Sequence, residues 1–462
     1  MDKVTLLLAR KALALDLATI NSKTLEKAKK LVQDGTGVML AGMNHPTICL
    51  LANHVKTYGS SPQSPVYGHG FSTSPHEAAF VNGSAIHVLD YEPMFVPPTH
   101  AVSPILAGLY ALAHQDTRGE IEKRFMCAFI AGIQFQADLR NAAQSSDDEA
   151  NKNNHHFPFE KHGFHPPGTV GALGSALAAS IFLSNTVEET AMALGIAASR
   201  SSGLAGNIGT MTKATHCGHA SRVGLESAFL AKSGVTASVS TLESPSGWGE
   251  IFGGDHFDTD IILEGISTLS CFEFPGFAFK KWPAHTAMQI AIQAAIPLHK
   301  NNYIPESIQI TSPVFKYCNR PFPKDTDDAR FSFQYNVALG ILDGEINFHS
   351  YSNDSLNRES LQSILSRTEL NMVPGVPSTF DTMEIGIKLD DGRRSSTDRW
   401  PGHWKSRAEQ EDHDRKFLSC ATQLYPSTKA QELLDQLKTM EDEVSFRSLL
   451  AGLENAPSIS PL

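Results

Sequence analysis

The stretch Gly163-FHPPGTVGALGSALAASIFLSNT-Val187 has no charged side chain and is rich in Gly, Ala, Ser and Pro. A membrane-spanning helix needs roughly 20 strongly apolar residues, and this run falls short of that hydrophobicity. It predicts a loop followed by a buried helix at 169–184, with small side chains that let neighbouring helices pack closely. The stretch therefore places the centre of the fold in a helical domain.

The sequence on both sides of this stretch is also helical in pattern. Alanine is abundant, and alternation of β-branched residues is scarce. Further helices are predicted at 75–88, 103–115, 120–137, 187–199 and 217–233. The start of the chain, residues 1–18, reads as a first amphipathic helix with no targeting segment, because Arg10, Lys11 and Asp16 interrupt its apolar run. A cytoplasmic location is expected, with the mitochondrion as an alternative.

The pattern changes after Cys271. Ser307-IQITS and Met383-EIGIKL alternate at period two, which predicts strands, and Asp390-DGR predicts a hairpin turn returning through 395–398. Helical segments are expected at 285–296, 330–343 and 358–367, and from Arg407 the chain is helical again. We predict a mainly α protein: a large all-helical domain formed by both chain ends (1–267 and 402–462) and a smaller inserted α+β lid domain (268–401).

Composition excludes several classes of protein. The 462 residues carry a formal net charge of −11 and no clustered basic run, so a nucleic-acid partner is not expected, nor is a membrane. The six cysteines are dispersed without a C-x-x-C pair, which argues against a zinc ribbon or a disulfide framework. They are predicted to be buried or incidental thiols.

Four segments concentrate acid-base side chains beside Gly or Pro. Asp90-YEPMFVPPT-His100 is a rigid loop that presents one carboxylate and one imidazole, although helix capping alone explains both equally well. In Lys161-HGFHPPG, His165 precedes a helix N-terminus, where an imidazole and the helix dipole can face an anion. His155 and His156 lie nearby, but the spacing does not favour a metal site, and no metal is predicted.

The third and fourth segments supply lysines. Gly206-NIGTMTKATHC-Gly218 brings Lys213 and His216 to a helix start, but it lacks the ending of a P-loop, and a solvated lysine is the plainer reading. In Phe279-KKWPA-His285, Lys280 and Lys281 are embedded among aromatic residues, where a lysine needs an anionic partner. Together the segments offer lysines, imidazoles and one carboxylate without a cofactor signature. That set suits a small polycarboxylate as substrate. Fixed cations stabilise the carbanion-like intermediate of such a substrate, and an imidazole transfers the proton.

These segments, in this order and spacing, resemble the MmgE/PrpD family, which contains 2-methylcitrate dehydratase and cis-aconitate decarboxylase. The resemblance starts at Lys27-AKKLVQDGTGV and extends through Asn319-RPFP and Ala329-RFSFQY. It implies a homodimer with an active site between the two domains and no cofactor. It assigns catalysis to Asp90, His100, His165, Lys213 and Lys280.

The resemblance and the neighbouring sequence also indicate substrate-binding positions: His216, Lys281, His285, Tyr317 and Met94. One departure from the family bears on the last of these. Where relatives continue the Asp loop with acids, Thr, Trp and His, this chain has Glu92, Pro93, Met94, Phe95 and Val96. This is either a repacked loop or a pocket for an alkyl chain, in which each buried CH₂ contributes about 0.8 kcal/mol.

The expected function is that of a cofactor-independent lyase that dehydrates a 2-methylcitrate- or alkylcitrate-like acid. Decarboxylation of cis-aconitate to itaconate is the alternative, because both reactions pass through a carbanion-like intermediate. A non-catalytic relative that binds a polyanion is the second alternative.

Overall fold

The computed structural model describes residues 3–59, 61–95, 98–143, 163–254, 257–273, 276–376, 380, 382–406 and 410–459. Helices dominate the part of the chain before residue 270. They are α1 (Val4–Leu13), α2 (Ser22–Gly42), α3 (Pro46–Tyr58), α4 (Pro75–Val88), α5 (Val102–Ala113), α6 (Ile121–Ala142), α7 (Pro166–Phe182), α8 (Val187–Ala198), α9 (Met211–Lys232) and α10 (Thr259–Thr268). Two short antiparallel pairs accompany them: β1 (Ser64–Val66) with β2 (Phe71–Thr73), and β3 (Met94–Phe95) with β4 (Phe277–Ala278).

The buried helix predicted at 169–184 is α7, and small residues let it approach its neighbours closely. A Cβ atom on Gly224 of α9 would overlap Ser175 of α7, and one on Gly218 would overlap the Phe80 carbonyl oxygen of α4. Helix α9 therefore packs against both α4 and α7. This contact fixes the N-terminal end of α9 relative to the C-terminal end of α4, and both ends lie at the candidate site.

The middle of the chain forms a four-stranded mixed sheet with helices. Its strands are β5 (Ile308–Pro313), β6 (Thr368–Val373), β7 (Ile385–Leu389) and β8 (Arg394–Thr397), in the spatial order β6-β5-β7-β8. Strands β5 and β6 are parallel, and the other pairs are antiparallel. The accompanying helices are α11 (Thr286–Ala295), α12 (Thr326–Ala329), α13 (Phe333–Asp343), α14 (Asn353–Leu356) and α15 (Glu359–Leu365).

The alternation that predicted β5 and β7 is visible in their burial. Ile308 and Ile310 are buried, whereas Gln309 and Thr311 are exposed. Strand β6 was not predicted, because it lies at the sheet edge and most of its residues are partly or fully exposed. Without a buried face, its sequence shows no clear period-two pattern.

The last helices are α16 (Gln410–Ala421), α17 (Ser427–Lys438) and α18 (Glu443–Glu454), and α16 packs along α2. The mainly α fold class is confirmed. Separate hydrophobic clusters form within the helical part and within residues 278–400, and the exact domain boundaries stay a prediction. No helix in the described part of the chain combines the length and hydropathy that crossing a bilayer requires. The six cysteines are buried and unpaired.

Candidate active site

A cleft of about 430 Å³, counting the space at its open mouth, lies between the helical part of the chain and the segment around α12. Its wall includes His87, Asp90, Thr210, Lys213, Asp327 and Phe331. His87 and Asp90 come from the C-terminal end of α4 and the loop after it, and Lys213 comes from the first turn of α9. The close packing of α4 on α9 thus determines which side chains share the cleft.

Asp90 lies at the centre of a buried ion-pair cluster. Its backbone is left-handed, with φ 49°, a conformation that Asp tolerates better than most residues. Lys213 Nζ donates to Asp90 Oδ2 at 2.5 Å, and Lys280 Nζ donates to Asp90 Oδ1 and, at 2.6 Å, to the Asp90 carbonyl oxygen. Lys280 follows β4, so the cluster joins segments 190 residues apart.

The carboxylate and the two ammonium groups of this cluster stabilise one another's charged forms. Burial alone would raise the pKa of Asp90, but Lys213 and Lys280 hold it well below its usual value. Burial lowers the pKa of Lys280, and Asp90 opposes that effect. An ammonium group has three N–H donors, so the bond to Asp90 leaves two donors of Lys213 for a ligand. Lys213 reaches the cleft, whereas the Lys280 side chain is fully buried behind Asp90.

A second carboxylate, that of Glu92, lies two residues further and is fully buried. Its Oε1 atom is 2.6 Å from His87 Nδ1 and 3.3 Å from His100 Nδ1. Its Oε2 atom accepts hydrogen bonds from the Ser103 hydroxyl at 2.6 Å and the Ser103 amide at 3.2 Å. The loop therefore holds two carboxylates rather than the single one predicted, and position 92 is polar rather than part of an apolar wall.

His165 and His216 form a second imidazole pair. Their Nδ1 atoms are 3.1 Å apart, and His165 is the N-terminal residue before α7. Burial, followed by the nearby charge of Lys213, lowers the pKa of His216 to about 4 and holds the pKa of His165 well below its usual value. Both imidazoles are thus neutral at pH 7. The His100 and His165 ring centroids are 6.2 Å apart, so this pair adjoins the Glu92 cluster.

His285 precedes α11 and accepts a hydrogen bond from the Ala287 amide through Nδ1 at 3.3 Å. Its Nε2 atom is 3.4 Å from the Tyr317 hydroxyl, and its ring packs against Phe331 in the cleft wall. Burial lowers the pKa of His285 to about 3, with Asp90 opposing the shift. The structure therefore brings His285 and Tyr317 to the rim of the same site.

Two predicted binding residues lie apart from the ion-pair cluster. Lys281 is exposed, and its ammonium group lies 5.3 Å from the centre of the Trp282 ring. Met94 is buried in the β3–β4 pair, and its sulfur accepts a hydrogen bond from Thr286 at 3.3 Å. A role for either residue in substrate binding stays a prediction.

His87 and Glu92 were missed as site residues in the sequence. The available signal was their spacing around Asp90, three residues before it and two after it. His87 was hidden inside a predicted helix, and Glu92 was grouped with its apolar neighbours. His87 faces inward from the last turn of α4, and the left-handed turn at Asp90 brings Glu92 back to it.

The described residues also contain groups with metal-ligating chemistry. Ligand atoms of His87, His100 and His165 lie within 4.8 Å of one another. Two of these imidazoles already use Nδ1 toward Glu92 and His216. The nearby His155 and His156, considered above as metal ligands, lie outside the described residues.

The arrangement has a defined chemical capacity. Two ammonium groups are balanced by two carboxylates, and the four imidazoles with lowered pKa values (His87, His165, His216 and His285) are neutral. Ammonium N–H groups in a cleft bind carboxylates, and neutral imidazoles beside them accept or deliver protons. The cleft therefore combines groups suited to binding an anion with groups suited to proton transfer.

The chain is similar to known proteins over nearly its whole length. The MmgE/PrpD N-terminal domain profile matches residues 7–260, and the C-terminal domain profile matches residues 282–442. The chain is 31% identical over 454 residues to the cis-aconitate decarboxylase of Mus musculus, covering 94% of this chain and 90% of the mouse protein. It is 30% identical over 462 residues to the cis-aconitate decarboxylase of Homo sapiens, covering 96% and 93%. A cis-aconitate decarboxylase-like protein of Aspergillus oryzae is 27% identical over 222 residues, covering 46% and 44%. The chain is therefore a member of the MmgE/PrpD family.

Proposed function

We propose that this protein is a lyase that removes CO₂ from cis-aconitate or a closely similar tricarboxylate. The observation that carries the proposal is the cluster in which Lys213 and Lys280, from separate parts of the fold, converge on Asp90 beside neutral imidazoles. The relatives named cis-aconitate decarboxylase favour this reaction over the dehydration expected from the sequence. The comparisons neither confirm nor contradict that dehydration.

In this proposal Lys213 binds one substrate carboxylate with the N–H groups that Asp90 leaves free. Lys280 fixes the Asp90 carboxylate, which in turn orients the Lys213 ammonium group. His285, Tyr317, His165 and His216 surround the remaining carboxylates. When the C–C bond to the departing carboxylate breaks, the electron pair stays on the substrate as an extended enolate, which the fixed cations stabilise.

Dehydration of a 2-methylcitrate- or alkylcitrate-like acid is the second candidate. It rests on the apolar sequence Pro93-Met94-Phe95 beside Asp90, which departs from the family pattern. Met94 and Phe95 are buried in the β3–β4 pair and are not part of the described cleft wall, so the geometry adds no support for an alkyl pocket. A non-catalytic relative that binds a polyanion is the third hypothesis, and the same experiment tests it.

The experiment incubates the purified protein, in the presence of EDTA, with cis-aconitate and separately with 2-methylcitrate, and follows CO₂ and products by NMR. We expect CO₂ and itaconate from cis-aconitate. Dehydration of 2-methylcitrate without CO₂ release would reverse the order of the two candidates. Binding of the unreactive tricarballylate without turnover of either acid would support the non-catalytic alternative.

Substitutions link the activity to the cluster. Lys213→Ala and His165→Ala are each expected to abolish turnover. Both residues are buried, and Lys213→Ala also removes one partner of Asp90, so circular dichroism must first show that each variant is folded. Lys123→Ala, which changes an exposed lysine paired with Glu120, is the matched control and keeps full activity. Unchanged rates in both site variants would reject the assignment.

We also propose that the protein is a homodimer, as the family resemblance implies. Light scattering coupled to gel filtration tests this proposal, and a monomer mass at micromolar concentration would contradict it.

A further inference from the structure

His87 is a cleft residue that the mechanism above does not use. It occupies the last turn of α4, is 1% exposed, and lies in the same wall as Asp90 and Lys213. Its ring is 4.4 Å from that of His100, centroid to centroid.

The hydrogen bonds of Glu92 determine which nitrogen of His87 carries the proton. Burial alone would raise the pKa of Glu92, but its contacts with His100 and His87 lower it below the usual value, so Glu92 is a carboxylate. A carboxylate can only accept hydrogen bonds, and Ser103 occupies its other oxygen. His87 Nδ1 therefore donates its proton to Glu92 Oε1, at 2.6 Å. The lone pair is left on His87 Nε2.

His87 Nε2 is buried and has no hydrogen-bond partner among the described residues. Buried polar atoms are nearly always paired, so this acceptor needs a partner that the described side chains do not supply, and a substrate in the cleft is a candidate for it. Of the described imidazoles near Asp90, His87 lies in the cleft wall and also has its other nitrogen hydrogen-bonded to a carboxylate. His165 is bonded to His216 instead, and His285 accepts a backbone amide.

We propose that His87 is a catalytic residue that delivers the proton to the substrate carbon, with Glu92 and Ser103 as its positioning residues. This role rests on the decarboxylation proposed above. His87 Nε2 takes a proton from solvent when the tricarboxylate binds. The C–C bond to one carboxylate then breaks, CO₂ leaves, and the electron pair stays on the substrate. That pair takes the Nε2 proton to form the new C–H bond, and His87 returns to its neutral form. One proton is consumed for each CO₂ released.

The charges around His87 agree with this cycle. In the free protein, burial, followed by the charges of Lys213 and His100, lowers the pKa of His87 to about 3, and Glu92 opposes the shift. The titratable groups that face His87 are Glu92, His100, His165 and Cys217, with Asp90 and Lys213 in the same wall. A bound trianion adds negative charge beside Nε2, and the Glu92 carboxylate stabilises the imidazolium from the other side.

The main test uses His87→Gln, with cis-aconitate as substrate and tricarballylate as a binding probe. General acid catalysis contributes roughly 100-fold or more, so kcat should fall by at least about 100-fold. KM and the tricarballylate Kd should rise by no more than about tenfold, since the carboxylate-binding lysines are intact and only the proton uptake of His87 is lost. His114→Gln is the control, because His114 is a partly buried histidine of the helical part that lies outside the cleft wall and makes a hydrogen bond with Tyr67. It should keep the wild-type kcat.

A proton count and a second variant add readouts other than the rate of His87→Gln. Calorimetry of tricarballylate binding in two buffers of different ionisation enthalpy should show the wild type taking up about one more proton than His87→Gln. Glu92→Gln keeps the shape but removes the charge that favours the imidazolium. The step requires protonated His87, so kcat falls as the pH rises through the pKa of His87. In Glu92→Gln this fall should begin at a lower pH than in the wild type.

The outcomes separate the two proposals. A wild-type protein that does not turn over cis-aconitate refutes the decarboxylation and this role with it. A normal wild-type rate, with His87→Gln within about tenfold of it and an unchanged pH profile in Glu92→Gln, refutes the role of His87 alone.

Discussion

Asp90 shows how one residue connects folding with chemistry. Its carboxylate is buried and accepts hydrogen bonds from two ammonium groups that come from distant parts of the chain. Removing one member of a buried charged cluster leaves the others without compensation, which costs more than replacing the whole cluster with neutral groups. The cluster should therefore respond non-additively to substitution.

We predict that Lys280→Met lowers the free energy of unfolding by about 1.5–3 kcal/mol, the usual cost of losing a hydrogen bond to a charged group. Adding Asp90→Asn should recover part of that loss, because the buried carboxylate is then gone. Urea titrations of the two single variants and the double variant measure the coupling. Simple addition of the two single effects would show that the residues act independently.

At the scale of elements, the contact between α4 and α9 positions the site. Gly218 of α9 lies against the Phe80 carbonyl and the Ser84 hydroxyl of α4, and a Cβ atom on Gly83 would lie 3.1 Å from the Gly218 Cα atom. These helices carry His87 and Lys213 respectively. A change in their separation therefore moves the walls of the cleft.

Gly218→Ala is expected to destabilise the protein by about 1–3 kcal/mol, the usual cost of overpacking a core, and to reduce kcat as the two helices separate. Gly206→Ala is the control, since a Cβ atom there meets nothing within 4 Å. It should change stability by less than about 0.5 kcal/mol. Thermal unfolding and steady-state kinetics measure the stability and kcat of both variants. Equal values for Gly218→Ala and Gly206→Ala would contradict the packing argument.

The elements were more predictable than the site. Helices such as α7 and α13 and strands β5 and β7 follow from periodic burial, which a sequence displays directly. Proline and glycine around His165 and Lys213 marked helix ends, where side chains converge. The hydrogen bond between Glu92 and His87 could not be predicted from such patterns, because it depends on a single left-handed turn at Asp90. Strand β6 was missed because its edge position leaves no regular pattern.

At the scale of the whole molecule, contacts between distant segments surround the cleft. Lys416 of α16 pairs with Asp34 of α2 at 2.7 Å and donates to the Tyr91 carbonyl at 2.9 Å, so the C-terminal helices support the Asp90 loop from behind. At the mouth, His45 Nε2 lies 2.9 Å from Asp327 Oδ1 and connects the helical part to α12. The cleft thus depends on both ends of the chain.

The buried imidazoles predict how stability depends on pH. His87, His216 and His285 have folded pKa values of about 3, 4 and 3, below the ordinary value of 6.5. The unfolded chain therefore binds more protons below pH 6.5, and stability should fall as the pH drops from 6.5 toward 4. The contribution of Asp90, whose pKa is lowered, is lost only below about 3.8, as the pH falls through its folded pKa.

Thermal unfolding between pH 7 and pH 5 measures this effect. His216→Gln removes one of these groups, so its stability should decline less steeply, by up to about 2 kcal/mol at pH 5. Parallel curves for the wild type and His216→Gln would show that His216 is protonated in the folded protein.

The left-handed backbone at Asp90 restricts what evolution or design can place there. Asparagine enters that conformation with equal ease but brings no negative charge to hold the two lysines. Glutamate restores the charge on a longer side chain that disfavours the turn. A library of all twenty residues at position 90 should therefore separate into variants that keep the shape and variants that keep the charge, with aspartate alone satisfying both.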